Sequence, residues 1–401
     1  GKVHNTVASL TGAACLVLTH ILSIEDCVDA VDVETICILV GMMLLVAVIK
    51  NSGIFEYIAI KAAKIAKGRP WPIMVIFILI TAVCSGMLDN VTTVLLVGPM
   101  TLAITNILKV DPVPYIITQI MASNIGGTAT LIGDPPNIMI GSAAKLGFVD
   151  FILNTGVATI FVIIVGLICM YFIYGRKLFV TDESIAKVMQ LDENKAIKDR
   201  KLMHESVIII ILVALCFIFH DQLGVQSCTV AIAAACIMLL IGGQEPEEII
   251  ADVEWPTILF FIGLFIVVGG MKKVGVITML ANGLISITHG NMVVTMMVIL
   301  WVSAIVSSFL DNIPFVATLI PMILTMQAEG MDVTPIWWAL SLGACLGGNG
   351  TLIGASANVV LSGISKNNGH PITFGQYFKI GFPMMILSII VCSVFLLIRF
   401  A

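Results

Sequence analysis

The feature that most constrains this chain is a set of long apolar runs spread along its 401 residues. A helix of about 20 apolar residues crosses the ~30 Å hydrocarbon core of a bilayer. Because hydrocarbon cannot satisfy unpaired backbone groups, runs of this length are expected to form membrane-spanning helices. The runs lie at about 6–24, 34–50, 151–174, 204–220, 226–242, 254–270 and 377–398.

Composition supports the bilayer as the solvent of this chain. Hydrophobic residues make up 59% of it and charged residues 11%, whereas soluble domains carry about 25% charged residues. The ten cysteines form no CxxC motif or Cys/His cluster, so neither a zinc site nor a disulfide framework is expected. The sequence predicts one all-α integral membrane protein. Its expected partners are the bilayer and a small ion or molecule, with no nucleic acid and no cofactor beyond a coupling ion.

An internal repeat runs through the chain. The segment SGMLDNVTTVLLVGPM (85–100) shares 7 of 16 residues with SSFLDNIPFVATLIPM (307–322), which lies 222 positions later. GGTATLIGDPPN (126–137) matches GGNGTLIGASAN (347–358), which lies 221 positions later. Matches in the same order at a nearly constant offset indicate two halves with the same fold. The predicted first half, connecting loop and second half are 1–174, 175–203 and 204–401.

Basic residues indicate that the two halves are inverted relative to each other. Four of them cluster in 53–69, whereas the counterpart segment at about 275–291 has none. By the positive-inside rule, 53–69 and the basic loop 175–203 are cytoplasmic, and the acidic loop 25–34 is external. We therefore expect a multi-pass protein of a prokaryotic inner or plasma membrane, with loop 175–203 in the cytoplasm.

The assigned cytoplasmic and external loops are mutually consistent only if each half contains a re-entrant hairpin. The hairpin enters the membrane from the cytoplasm in the first half and from outside in the second. The predicted hairpins are 71–108 and 292–327. The run 204–220 lies between the halves, and its counterpart would fall about 20 residues before Gly1. At least one further transmembrane helix is therefore expected to precede the sequence.

Polar residues at the hairpin tips form the first candidate site. A bend inside the membrane leaves backbone groups unpaired, which is tolerated where the chain lines a wet cavity. A carboxylate there costs at least ~2.5 kcal/mol, so a bound cation or proton is expected to offset the cost. Carboxylate, carbonyl and hydroxyl oxygens suit a hard cation. Sodium is the expected metal, at Asp89, Asn90, Asp311 and Asn312, and the adjacent candidates are Thr92 and Thr93.

Two interrupted helices, predicted at 114–147 and 335–366, form the second candidate site. Pro135 and Pro136 interrupt the first, because proline lacks an amide donor and clashes with the preceding turn, and glycines weaken the second. Asp134 corresponds to Ala355 in the repeat, which makes Asp134 a candidate for an asymmetric proton carrier. The candidate residues of the breaks are Asn124, Gly127, Thr128, Thr130, Asp134, Asn137, Gly348, Asn349, Thr351, Ser356 and Asn358.

Other functions of the same residues stay open at this point. Asp89, Asp311 and Asp134 suit helix N-caps, and the glycine pairs suit close helix packing. An anion channel would use the same polar groups but needs a continuous pore. An intramembrane aspartyl protease needs two carboxylates that share a proton, but the chain has no Gly-x-Gly-Asp stretch. No enzyme activity is therefore expected.

Four motifs carry a resemblance to a known family. LDNVTT, IGGTATLIGDPPN, LDNIPF and GACLGGNGTLIGASANVV resemble the ArsB/NhaD group of the ion transporter superfamily, nearest to its P-protein branch. The likeness covers essentially the whole chain, although loop 175–203 is shorter than in the animal P proteins. The resemblance implies two inverted-topology repeats, each with a re-entrant helical hairpin and a broken transmembrane helix. It also implies a scaffold domain, a transport domain, elevator-type alternating access and a homodimer.

The hairpin tips depart from those of the related sodium–dicarboxylate carriers, which read Ser-Asn-Thr. Here the tips read Asp89-Asn90-Val91 and Asp311-Asn312-Ile313, and two carboxylates would repel a dicarboxylate. The resemblance therefore implies a secondary transporter of an ion or small anion, coupled to protons, sodium or both, with sodium/proton antiport among the activities of the group. Arsenite or antimonite efflux is the second function implied.

Overall fold

The computed structural model describes residues 4–401, apart from the side chains of His220, Asp221 and Leu223. In this part of the chain every regular element is helical. The helices of the first half are α1 Asn5–Leu18, α2 Ile24–Ala30, α3 Val33–Lys50, α4 Ile54–Ile65, α5 Pro70–Met87, α6 Asn90–Leu108, α7 Val113–Thr128, α8 Pro135–Ala144, α9 Phe148–Phe151 and α10 Val157–Met170. Two helices follow, α11 Asp182–Met189 and α12 Arg200–Leu223.

The second half contains nine further α-helices among the described residues. They are α13 Ser227–Gly242, α14 Pro246–Ala251, α15 Trp255–Lys273, α16 Val276–Thr288, α17 Met292–Phe309, α18 Asn312–Ala328, α19 Thr334–Gly347, α20 Ser356–Asn367 and α21 Phe374–Phe400. Short π-helical segments continue α9 and α10, so that Phe148–Gly175 forms one long apolar helix. Within 4–401, eight helices are long and apolar enough to cross a membrane, which confirms the multi-pass, all-helical fold.

Helices of the two halves correspond in order. Each helix from α1 to α8 has a counterpart from α13 to α20, which starts 222 positions later for α1–α6 and 221 positions later for α7 and α8, as with Asn90 of α6 and Asn312 of α18. The arms α5 and α6 cover the first predicted hairpin and meet at Asp89, and the arms α17 and α18 cover the second and meet at Asp311. Two residues separated by this offset are called counterparts.

The apolar run predicted at 6–24 is not one helix, and this expectation was wrong. Helix α1 ends at Leu18, and its 14 residues reach only about 21 Å at 1.5 Å per residue. The reason is local: His20 adopts a left-handed conformation with φ 59°, and Ser23 forms a capping box with Asp26 that starts α2. The turn at His20 and the cap at Ser23 therefore divide the predicted run between two helices.

Small residues bring α3 close to α13, and α15 close to α1. A Cβ on Gly41 would lie 2.7 Å from the carbonyl carbon of Ala231, and a Cβ on Gly263 would lie 2.8 Å from that of Ser9. Gly41 and Gly263 are counterparts, and so are Ser9 and Ala231. Close backbone approach at small residues is the usual basis of helix association in membranes. We call α1–α3 and α12–α15 the frame helices.

A second group is formed by α5–α8 and α17–α20, which we call the core helices. Helix α5 packs along α7, α17 along α19, and α7 meets α19 at the centre. A Cβ on Gly126 would lie 2.1 Å from the carbonyl oxygen of Ala82, and one on its counterpart Gly347 would lie 2.6 Å from that of Ala304. The core helices contact the frame where α8 packs on α3 and α18 packs on α15.

Candidate functional site

Both hairpin tips and both helix breaks meet in one small cavity, which we call the central cavity. Its volume is about 20 Å³, enough for one water-sized species. The core helices contribute Asp89, Asn90, Val91, Asp134, Pro135, Asn312, Ile313 and Ser356, and the frame helices and the residues that precede them contribute Leu39, Met43, Glu254 and Thr257.

The aspartates of the hairpin tips cap the second arm of each hairpin. Asp89 accepts a hydrogen bond from the backbone N–H of Thr92 at 2.8 Å and a second from the Thr92 hydroxyl. Asp311 accepts one from the backbone N–H of Ile313 and one from the Ser356 hydroxyl, both at 3.1 Å. Because a carboxylate has about four acceptor sites, these caps leave capacity for a cation or proton.

Asp134 differs from the tip aspartates because its side chain does not cap the helix that follows it. It is 1% exposed and accepts hydrogen bonds from Asn312 Nδ2, at 3.4 Å to Oδ1 and 3.2 Å to Oδ2. This contact joins the break of the first half to the hairpin tip of the second. The neutral amide is a donor that carries no charge to balance a buried carboxylate.

Hydroxyl groups tie each hairpin to its helix break in the same way in both halves. The Thr130 hydroxyl donates to the carbonyl of Gly86, just before the first tip. Its counterpart, Thr351, donates to the carbonyl of Ser308, just before the second tip. These bonds satisfy carbonyls that no helix satisfies, which a bend within a membrane requires.

Two asparagines close the breaks and connect the halves. Asn137 Nδ2 donates to three carbonyl oxygens of its own break, including that of Thr130 at 2.9 Å. Its counterpart Asn358 donates to the carbonyl of Thr351 at 2.8 Å. Asn358 Oδ1 accepts from Asn124 Nδ2 of the other half at 2.9 Å, while Asn137 Oδ1 accepts from Cys345 Sγ at 3.5 Å. These side chains shape the cavity from behind its wall.

The structure thus divides the predicted site residues into two sets. Five of them line the central cavity: Asp89, Asn90, Asp134, Asn312 and Ser356. Most of the others support it, as Asp311 does through Ser356, or as Asn349 does by accepting from Asn124 at 2.9 Å. The remaining supporting residues are Thr92, Asn124, Gly127, Thr128, Thr130, Asn137, Gly348, Thr351 and Asn358. Thr93 is buried, but its hydroxyl has no hydrogen-bond partner among the described residues.

The sequence prediction missed two polar residues of the cavity, Glu254 and Thr257. Glu254 directly precedes the span formed by α15 and accepts a hydrogen bond from the Thr257 hydroxyl at 3.2 Å. Partial burial, and secondly the nearby Asp89 carboxylate, raise the pKa of Glu254 to about 7. The repeat carried the signal: Glu254 is the counterpart of Asp32, and Thr257 of Thr35, whose hydroxyl donates to Asp32 at 2.7 Å.

Metal-site chemistry of the usual kind is not evident in the part of the chain that the structure describes. No group of three or more His, Cys, Asp or Glu side chains there is arranged to hold a metal ion. No cysteine lies among the residues that line the central cavity. The cavity offers carboxylate, amide and hydroxyl oxygens instead, which suit a proton or a weakly held hard cation.

A helical, multi-pass fold with a small polar cavity at the meeting point of two hairpins and two helix breaks defines a membrane transporter. The sequence agrees with this class. The chain belongs to the CitMHS family, described as citrate transporters, whose family model matches residues 1–343.

Several relatives are themselves described as transporters. The chain is 41% identical over 407 residues to the "Uncharacterized transporter Rv2684" of Mycobacterium tuberculosis, covering 100% of this chain and 94% of the relative. It is 33% identical over 485 residues to the P protein of Sus scrofa, covering 99% of this chain and 57% of that protein. The P-protein likeness expected from the motifs is thereby confirmed.

A solved structure has the same fold. The crystal structure of the Alcanivorax borkumensis YdaH transporter matches with a TM-score of 0.65 over 98% of each chain, at 15% sequence identity. This likeness concerns the fold alone.

Proposed function

We propose that this chain is a secondary active transporter that couples the movement of protons, sodium ions or both to that of an ion or small anion by alternating access. The observation that carries the proposal is the central cavity, where Asp89, Asp134 and Glu254 share a wall that, among the described residues, contains no basic side chain. Each membrane carboxylate costs at least ~2.5 kcal/mol. A bound cation or proton offsets that cost. When the cation or proton is released, the carboxylate is again destabilised.

The carboxylates have different tasks in this proposal. Asp89 and Asn90 of one tip, with Asp311 and Asn312 of the other, form the place for a coupling cation such as sodium. Asp134 carries a proton, because its buried carboxylate accepts from the neutral amide of Asn312 and its counterpart is Ala355. A multivalent anion such as citrate would enter this cavity only together with a cation, since the wall itself is acidic.

The wider arrangement is part of the same proposal. The frame helices act as the scaffold and the core helices as the transport domain of an elevator-type transporter with inverted repeats, in the ArsB/NhaD group. Loop 175–203 is cytoplasmic, the membrane is a prokaryotic inner or plasma membrane, and the protein is a homodimer. The basic residues of 53–69 and of the loop support this orientation.

The test uses purified protein in liposomes that contain a pH-sensitive dye. A sodium gradient, an arsenite gradient and a voltage step without either are imposed in turn. Proton movement driven by sodium or by a transported anion is the expected result. Movement with arsenite alone would favour an efflux permease, and a voltage-driven current without coupling would replace the transporter with a channel.

A further inference from the structure

Two frame carboxylates occupy equivalent positions but have different surroundings. Asp32 directly precedes α3, and its counterpart Glu254 directly precedes α15. Each accepts a hydrogen bond from the threonine three residues later, Thr35 or Thr257. This contact is shared, but Asp32 also accepts from the backbone N–H of Thr35 at 3.2 Å, whereas the side chain of Glu254 accepts no cap hydrogen bond from α15. A second difference between the two carboxylates is where the core helices lie against the frame.

Around Asp32, the core helices present a segment well beyond the second hairpin tip. Asp32 Oδ1 accepts a hydrogen bond from the Ser142 hydroxyl of α8 at 3.0 Å. It lines a cavity of about 310 Å³ together with Ala317, Ile320 and Pro321 of α18. These residues lie five to nine positions past Asn312, the first residue of that helix. The second tip itself lies at the central cavity instead.

Around Glu254, the core helices present the first hairpin tip itself. Glu254 shares the central cavity with Asp89, Asn90 and Val91. The counterpart of Ser142 is Gly363, and a Cβ at Gly363 would have no atom within 4 Å. Gly363 is therefore not in contact with Glu254, whereas Ser142 is in contact with Asp32. The two halves show two different contacts between frame and core.

We propose that the opposite-facing state reverses these two contacts: Asp32 leaves Ser142 and lies beside Asp311, while Glu254 leaves Asp89 and lies beside Gly363. This inference rests on the alternating access proposed above and names the residues that exchange. In inverted repeats the contacts that one half makes in one state are available to the other half in the other state. The frame residues 32 and 254 thus meet the tip carboxylates alternately.

The exchange requires a movement of definite size. For Asp311 to reach the level now occupied by 317–321, α18 must shift along the frame by six to ten residues. At 1.5 Å per residue this is roughly 9–15 Å. The frame does not need to deform, because Gly41 and Gly263 hold its helices in backbone contact.

The charged groups around Asp32 and Glu254 determine whether the exchange of contacts is opposed by repulsion between carboxylates. Glu254 faces Asp89 and Asp134 in the central cavity, and the neighbouring Asp252 is paired with Lys50 at 2.7 Å. Asp32 shares its cavity with Asp29 and Lys272. In either state a frame carboxylate approaches a tip carboxylate, so like charges meet unless a proton or cation lies between them. A hairpin tip whose carboxylate holds a proton or a cation can therefore pack against the frame more readily than a tip whose carboxylate is ionised and has no bound cation.

Cysteine cross-linking in proteoliposomes tests the exchange. The pair D32C/S142C reports the contact seen here, and E254C/G363C reports the predicted opposite contact. Cross-linked peptides are identified by mass spectrometry, so the ten native cysteines stay in place. Both disulfides are expected, each favoured by one direction of the imposed gradient. Formation of the first disulfide without the second under either gradient would overturn the proposal.

A second pair of double-cysteine variants leaves Asp32 and Glu254 unchanged, so that a failure to cross-link cannot be attributed to loss of these carboxylates. Val31 and Ala317 line one cavity here, and their counterparts are Val253 and Leu95. A short bifunctional thiol reagent is expected to join V31C to A317C in one state and V253C to L95C in the other. Active L95C/V253C protein that never yields its cross-link would contradict the exchange. An unmodified parent that moves no ion in the same vesicles would instead contradict the proposed function.

Discussion

The two helix breaks are built alike, yet only one of them carries a carboxylate. Thr130 and Thr351 tie the breaks to the hairpins by equivalent bonds, and Asn137 and Asn358 close them by equivalent bonds. In contrast, Asp134 stands where the second half has Ala355. The shared residues satisfy backbone groups that both breaks expose, so both halves need them. Asp134, which the second half lacks, is not needed to satisfy these backbone groups, and this makes it the better candidate for the proton-carrying residue.

The largest effect is expected from Asp134→Asn. Removing the proton-carrying group while keeping the size of the side chain is expected to reduce proton-coupled flux in liposomes to the level of empty vesicles. Folding is expected to persist, because the side chain does not cap α8. The matched control is Asp192→Asn, at an exposed position in the connecting loop. Normal coupled flux in Asp134→Asn would show that the asymmetry of the breaks has no role in coupling.

The next effect compares the two hairpin tips. Asp89→Asn is expected to abolish coupled transport with little loss of stability, because asparagine is as good an N-cap as aspartate. Asp311→Asn is expected to impair transport less, since Asp311 lies behind Ser356 and outside the wall of the central cavity. Flux and melting temperature are measured for both variants. Equal flux in Asp89→Asn and the parent would remove this tip from the coupling site.

A third comparison concerns stability, in which the halves are expected to behave alike. Gly126→Ala and Gly347→Ala each place a Cβ within 2.6 Å of a backbone carbonyl oxygen. Overpacking of this kind costs about 1–3 kcal/mol, so both variants are expected to melt at a lower temperature in detergent. Gly166→Ala is the control, because a Cβ there meets no atom within 4 Å. A loss in only one half would contradict equivalent packing.

The hydrogen bond between each break and its hairpin gives a fourth effect, of similar size to the third. Thr130→Val and Thr351→Val keep the shape of the side chain but leave a buried carbonyl without its donor, at a cost of about 1–3 kcal/mol. Both variants are expected to lose stability in thermal unfolding in detergent, Thr351→Val slightly more because its hydroxyl also accepts from the backbone N–H of Ile353 at 3.2 Å. Thr318→Val, which removes only a bond to the carbonyl of Pro314 within its own helix, is the control. A cost confined to Thr130 would mean that the two ties are not equivalent.

The smallest effect concerns Glu254, whose pKa is raised to about 7. The raised pKa keeps Glu254 protonated below neutral pH, and the proton is lost as the pH rises through about 7. Coupled flux of the parent is therefore expected to fall as the pH rises through neutrality. Glu254→Gln is expected to flatten that part of the profile while retaining flux at lower pH. An unchanged pH profile would place the titrating group elsewhere.

Much of the fold can be predicted from the sequence because its signals are local or repeated. Long apolar runs predict helices, and the meeting points of the arms at Asp89 and Asp311 coincide with the polar residues inside apolar segments. The prediction of a single helix over 6–24 was wrong because hydropathy alone does not detect the turn at His20. Sequence patterns report polarity along the chain, and a left-handed turn leaves little trace in polarity.

The cavity was harder to predict than the helices. The repeat predicted the polar residues of the two tips and the two breaks, whereas Glu254 belongs to the frame and reaches the cavity through tertiary packing. Asp32 and Glu254 are equivalent in the repeat, and only the position of the core helices in this state places Glu254 at the cavity. A single conformation therefore adds information that the sequence of an inverted repeat does not contain.

The most direct test of a coupling site at the central cavity is to count protons released when sodium is added to the purified protein in a weakly buffered detergent solution. Sodium is expected to displace protons from the parent near neutral pH, and both Asp89→Asn and Asp134→Asn are expected to release fewer. Release from the parent that is unchanged in both variants, or no release with either sodium or a transported anion, would contradict a coupling site at the central cavity.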